Sequence, residues 1–176
     1  MRLILATLAL LPTTALAASS SSSDAPKPTE TTEVCEEGLV WDLATETCLP
    51  PEQSTNEDSA MMDAVRELAH DGRYADALRV LDGLDDATTD LALTYYGFAH
   101  RKSGNTALGM AYYGAALDQN SDNILARSYM GQAHVEAGQL QLASAQLSEI
   151  RKRGGRGTWA EFSLRQAIGS GVTYSY

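Results

Sequence analysis

Residues 95–104, YYGFAHRKSG, and residues 129–138, YMGQAHVEAG, decide how this chain folds. Tyr95, Gly97, His100 and Gly104 recur 34 residues on as Tyr129, Gly131, His134 and Gly138. A third glycine, Gly72, stands 32 residues before Gly104. Each of Gly72, Gly104 and Gly138 falls between one helix-like segment and a second, amphipathic one. A helical pattern with this period builds stacked helical hairpins, whose product is a binding surface. The chain therefore reads first as an all-α interaction protein.

Working outward, three repeats cover residues 58–89, 90–123 and 124–157, the first being two residues shorter than the others. In repeat two the first helix, Asp90 to Lys102, carries Leu93, Tyr96, Gly97 and His100. Its second helix, from Thr106 to about Asp118, carries Gly109, Tyr113 and Ala116. Repeat three places Met130, Gly131 and His134 in its first helix and Ala143, Leu147 and Ile150 in its second. Repeat one has Val65 in the small-residue slot, then Tyr74, Ala77, Leu81 and Leu84 after Asp71-Gly72. Glycine at 97 and 131 is expected to let paired helices approach closely. After Gly154-Gly155-Arg156-Gly157, Thr158 reads as the N-cap of a last helix spanning residues 158–168, with Trp159, Phe162, Leu164 and Ile168 on its apolar side. Residues 169–176 read as a flexible tail.

The order of large, small and aromatic positions resembles the tetratricopeptide pattern W-x2-L-G-x2-Y followed by A-x3-F. That resemblance implies a right-handed superhelix of three hairpins closed by a capping helix, with a concave groove lined by the first helix of each hairpin. The groove positions here are Met62, Arg66, Ala69, Leu91, Thr94, Tyr95, Phe98, Arg101, Leu125, Ser128, Tyr129, Gln132 and Val135. Such a mixture, apolar and aromatic with two arginines, suits an extended or helical peptide. The Lys/Asn set of the family's carboxylate-clamp variant is lacking at these positions. The alternative for Tyr95 and Tyr129 is that they fill the small interior of a three-repeat stack.

Ahead of the repeats the chain changes character. The opening MRLILATLALLPTTALA has Arg2, an apolar run from Leu3 to Leu11 and an A-x-A arrangement at residues 15–17, and reads as a signal peptide over residues 1–17. The apolar run is about half the roughly 20 residues that span a bilayer. Residues 18–33, rich in Ser, Thr, Pro and acid, hold no aromatic and no large aliphatic side chain, and read as a flexible tether. Within residues 34–51, Cys35 and Cys48 are expected to pair, since an exported chain with two cysteines has that default fate. Short strands at 39–42 and 47–49 would make a stapled hairpin. Its spacing resembles the C-x2-G-x2-aromatic hairpins of exported proteins, one part of the peritrophin-type chitin-binding module among them, and so offers Trp41 as a site of glycan contact. Residues 52–57 read as a second polar joint.

Charge narrows the partners. Residues 18–58 hold ten acids against Lys27 alone, while residues 59–176 hold thirteen acids and eleven bases. No basic stripe is available for a phosphate backbone, so nucleic acid is not expected. The basic cluster Arg151, Lys152, Arg153 and Arg156 complements a helix C-terminus, or grips an acidic partner or the protein's own acidic stretch. There is no P-loop, G-x-G-x-x-G, G-x-S-x-G or H-E-x-x-H. His70, His100 and His134 lack the convergent partners that a zinc site needs, so neither an enzyme, a metal nor a cofactor is expected. The whole reading is an exported, periplasmic bacterial adaptor or assembly factor that binds a protein segment of the cell envelope. An envelope glycan binder using the Cys35–Cys48 hairpin is the alternative.

Overall fold

The computed structural model describes residues 27–173, so the signal peptide read at residues 1–17 lies outside the described residues. The chain is mostly helical. A short helix α1 (Glu30–Glu33) leads to an antiparallel hairpin of β1 (Val40–Asp42) and β2 (Thr47–Leu49), then a 3-10 turn at Pro51–Gln53. Seven longer helices follow: α2 (Asp58–His70), α3 (Tyr74–Asp82), α4 (Asp90–Lys102), α5 (Thr106–Gln119), α6 (Ile124–Glu136), α7 (Leu140–Lys152) and α8 (Trp159–Ser170). Consecutive helices pack as the pairs α2–α3, α4–α5 and α6–α7. Helices α2, α4, α6 and α8 touch in succession, while α3, α5 and α7 form a second layer outside them.

The turns inside the pairs repeat the sequence period in three dimensions. Gly104 and Gly138 have φ of +91° and +71°, and the residue after each sends its N–H back to the carbonyl five residues earlier, Asn105 to His100 and Gln139 to His134. A β-carbon is disfavoured at that φ, so glycine ends the first helix and starts the turn. Side-chain caps fix where several helices begin: Thr89, Asn105, Asn123 and Thr158 each accept a backbone N–H from the first turn of α4, α5, α6 and α8.

An aspartate at the first position of a repeat holds the turn at the end of that same repeat. Asp58 accepts the N–H groups of Asp85 and Asp86 at 2.9 Å each, in the turn leading to α4. Asp90 accepts the Asn120 and Asn123 side-chain amides at 2.7 and 2.9 Å, in the turn leading to α6. Asp85 and Asp86 thus contribute backbone donors to the turn that closes repeat one.

The closest helix approach lies between α4 and α5. A β-carbon on Gly97 would fall 2.5 Å from Tyr113 ring carbons and 3.0 Å from the Gly109 carbonyl oxygen, and one on Gly109 would fall 2.7 Å from the Gly97 carbonyl oxygen. The space so released is filled by the fully buried Tyr113. At Gly131 the expectation needs correcting. The atoms that crowd it are the Leu164 methyl carbons of α8, at 2.6 and 2.7 Å, so this glycine seats the last helix on α6.

Three expectations about flanking segments are also corrected. The tether read to residue 33 ends in α1, which is pinned to α2: the Glu67 carboxylate accepts the Thr29 N–H at 2.7 Å, the Thr29 hydroxyl at 2.8 Å and the Thr32 hydroxyl. The joint read at 52–57 is held as well, because Ser54, Thr55 and Asn56 bond back onto the hairpin. Of the tail read at residues 169–176, the described part is held, since α8 runs to Ser170 and Thr173 donates to Glu136 and accepts from Lys102, and residues 174–176 lie outside the described residues.

The expected disulfide is present, with Cα atoms 5.6 Å apart, and joins the chain just after α1 to β2. Val40 is fully buried in the same core cluster as Met61, Val65, Leu68 and Val80, so the hairpin packs onto the first helix pair. Asp42 locks it there. One of its oxygens accepts from Thr45 and the other from Thr55, each through backbone and hydroxyl, and these bonds hold its carboxyl far below the usual carboxylate range.

Two measurements check this account. Gly97→Val is expected to destabilise the protein by about 2 kcal/mol or more in urea unfolding, the range for overpacking against a rigid wall. Gly114→Ala, where nothing lies within 4 Å, should be neutral or stabilising. A carboxyl depressed by folding adds stability that is complete above its unfolded pKa of about 4 and is lost as pH falls through the folded value. Melting temperature should therefore drop as pH is lowered below about 4, and Asp42→Asn should lower it at neutral pH and reduce that acid dependence.

Candidate functional site

The residues expected to line a groove mostly make the interior. Thr94 and Phe98 are fully buried, and Tyr95, Arg101, Ser128, Tyr129 and Gln132 are 3% exposed or less, with Ala69 and Val135 also buried. Phe98 and Tyr129 lie 4.7 Å apart between ring centroids, Tyr95 meets Tyr129 edge-on at 6.5 Å, and Tyr74 meets Phe98 edge-on at 6.0 Å. Large rings on the first helices of a short stack meet one another before they can line an open surface. Two buried hydroxyls in this layer find partners: the Thr94 hydroxyl accepts from Asn123 at 3.0 Å, and the Ser128 and Ser163 hydroxyls sit 3.1 Å apart. Only Leu91 is exposed, while Met62, Arg66 and Leu125 are half-buried. The groove is thereby corrected to four side chains that keep some exposure, Met62, Arg66, Leu91 and Leu125, beside an aromatic core.

Arg101 is the charged member of that core. Its Nε donates to the Tyr113 hydroxyl at 3.3 Å, its Nη1 donates to Glu136 at 2.6 Å, and its guanidinium lies over the Phe98 ring at 5.6 Å. Burial works against the charge, but Tyr113 and Glu136 more than offset it, leaving the pKa above the ordinary value. Glu136 in turn is held below its ordinary value by Thr173, Arg101 and Lys102, against the opposing effect of burial. A pair of this kind fixes α4 against α6 and the chain after α8, and is structural.

Apolar side chains are also exposed in a repeating pattern on α5 and α7 of the outer layer. From Thr106 to Leu117 helix α5 carries no charged residue at all, yet Ala107, Leu108, Ala111 and Ala115 are exposed. A helix apolar all round is normally buried, so this one lacks cover on its outer side. The feature recurs one repeat on: Leu108 is 38% exposed and Leu142, in the same slot 34 residues later, is 50% exposed, while Ala111 and Ala145 form a second such pair. Leu140 extends the surface at the start of α7. The first hairpin departs from this pattern, because Asp76 occupies the equivalent slot, buried and paired with Arg73 at 2.8 Å. The sequence signal for this face was the uncharged run itself.

Beyond the apolar face lies a basic depression of about 440 Å³, lined by Ser144, Leu147, Ser148, Arg151, Lys152 and Arg156. Arg151 donates to Glu161 of α8 at 2.7 Å and Lys152 pairs with Glu149 at 2.7 Å. Hydrogen bonds from Lys152 and Arg153 lower the Glu149 carboxyl to about 2. Arg153 takes no part in the depression, for it turns to Glu149, Asp122 and the Ser121 carbonyl and braces the α5–α6 turn. The described part of the acidic stretch, residues 27–58, sits on α2 and α3, so docking of that stretch on the basic cluster within one chain is also corrected.

The remaining candidates are absorbed locally. Trp41 is half-buried; its N–H donates to the Thr31 hydroxyl at 3.2 Å and its carbonyl accepts from Asn56 at 2.8 Å, so its backbone is part of the hairpin's anchorage. His100 stacks on Tyr112 at 5.5 Å, and the His134 Nδ1 lies 2.7 Å from the Gln139 side-chain oxygen. Among the described residues, no three His, Cys, Asp or Glu side chains come together as metal ligands. No helix among the described residues is long and apolar enough to cross a membrane. Comparison of the chain with protein-family models, curated proteins and solved structures finds no match in any of the three.

Proposed function

We propose that this chain is a non-catalytic binding protein of the bacterial cell envelope, built on tetratricopeptide-like hairpins, which takes a segment of a protein partner on the outer face of its second and third hairpins. The observation that carries the reading is the exposure of Leu108 and Leu142 in the same slot of successive hairpins, on two helices of which one is uncharged over twelve residues. Apolar side chains left exposed in a repeating pattern, rather than singly, point to an interaction surface. The family resemblance is supported by the 34-residue period, by the small residues at the Gly97–Gly109 approach and by the glycine turns. Export to the periplasm is supported by the signal-like N-terminus and by the Cys35–Cys48 bond, which persists in oxidising compartments.

The protein recognised on this face needs apolar side chains at helical or extended spacing, as in other helix-surface recognition. A photo-crosslinking residue at Leu108 or Leu142 should give a discrete protein adduct in intact cells, and one at the exposed Arg79 on the first hairpin should give none. Leu108→Asp with Leu142→Asp should abolish capture of that partner while changing the melting temperature by less than about 2 °C, as expected of surface substitutions. Trp41→Ala should leave capture unchanged. Capture that survives the double substitution, or an adduct that forms equally at position 79, contradicts this assignment.

A further inference from the structure

The two ends of the stack carry opposite charge. At the first end, Glu30, Glu33, Glu36 and Glu37 are all exposed, and their carboxylates have no hydrogen-bond or ion-pair partner among the described residues. Val34, 59% exposed, lies among them. The segment is presented rigidly, because Thr29 and Thr32 are bound to Glu67, Arg73 donates to the Thr31 and Glu36 carbonyls, and the disulfide holds Cys35. At the other end, the basic depression has serine walls, Leu147 as its apolar lining, and the cations Arg151, Lys152 and Arg156 at its rim. Arg156 is exposed and carries no ion pair among the described residues.

We infer that copies of this chain associate head to tail, the acidic 30–37 segment of one copy seating in the basic depression of the next. The occupant is named by the chain itself, which holds a preorganised row of unpaired carboxylates around one exposed valine, matched in sign and apolar content to the depression. The match cannot be made within one copy, because α4, α5 and α6 separate the two ends. The overall charge of −10 opposes random contact between copies, so only an orientation that brings the one basic end to an acidic end is favoured. A contact between two different surfaces is heterologous and does not close on itself unless its rotation permits, so it produces open chains of copies that extend the stack. In such a chain the outer faces of successive copies would lie in series, multiplying the surface offered to an elongated partner.

The test uses the disulfide-bonded exported chain and sedimentation velocity over about a hundredfold range of concentration. Wild type should form concentration-dependent dimers and longer species, which weaken as sodium chloride is raised from about 0.15 to about 0.5 M. The tail variant Lys152→Glu/Arg156→Glu and the head variant Glu33→Lys/Glu36→Lys should each associate at least about tenfold more weakly alone. An equimolar mixture of the two should recover association, because each then supplies the opposite sign that the other lacks. Circular dichroism and melting temperature equal to wild type show that the substitutions, all at the surface, leave the fold intact. A wild type that stays monomeric throughout, single variants that associate like wild type, or a mixture that fails to recover association would each overturn the inference.

Discussion

The approach of α4 to α5 at Gly97 and Gly109 is the contact on which the rest of the structure depends. Two helices that carry side chains at their crossing stay further apart; with hydrogen in both places, each glycine brings its carbonyl oxygen within 3.0 Å of where the other's β-carbon would sit. Tyr113 then lies flat beside Gly97 and reaches the centre of the molecule, where its hydroxyl accepts from Arg101 and its ring lies 6.3 Å from Tyr129. Through those two residues the contact spreads outward. Arg101 engages Glu136 and fixes α6, while Tyr129 packs on Phe98, which touches Tyr74 of the first pair. The middle hairpin thus connects all three by rings and by the ion pair of the buried Arg101 with Glu136.

The same crowding explains why recognition is assigned to the outside. Tyr95, Phe98 and Tyr129 on the first helices are buried against one another and fill the space between those helices. The outer layer is under no such demand. Its second and third helices keep apolar side chains where the first has a buried Asp76–Arg73 pair, so the contrast within one chain separates what stability requires from what it leaves exposed. Stability at the first end comes from other sources: Val40 extends the core, and Asp42 and Glu67 collect donors from segments that have no core of their own.

Much of this was legible in the sequence, and the parts that were not share a cause. Helix α4 was read with its observed bounds, and the strands with one residue of difference, because glycine turns, capping residues and cysteine spacing act locally. The anchoring of α1 was not legible, since Thr29 and Thr32 are satisfied by Glu67, 35 to 38 residues away, and nothing in a Ser/Thr-rich run announces a distant carboxylate. The crowding of Gly131 by Leu164 was missed for the same reason: periodicity gives the slot but not which neighbour fills it. For the groove, residue types alone left two readings of Tyr95 and Tyr129, and only the distance between α4 and α6 decides for the interior. The uncharged run in α5, by contrast, was open to inspection, and the proposed site lies on it.

The most direct test of the central claim is hydroxyl-radical footprinting of the folded protein, read residue by residue. The account predicts that Tyr95, Phe98 and Tyr129 are protected to the level of Tyr113, while Leu108, Leu140 and Leu142 are modified readily. Tyr95 and Tyr129 reacting as fast as those leucines would mean that the inner face is open, and would contradict both the packing described here and the assignment of binding to the outer helices.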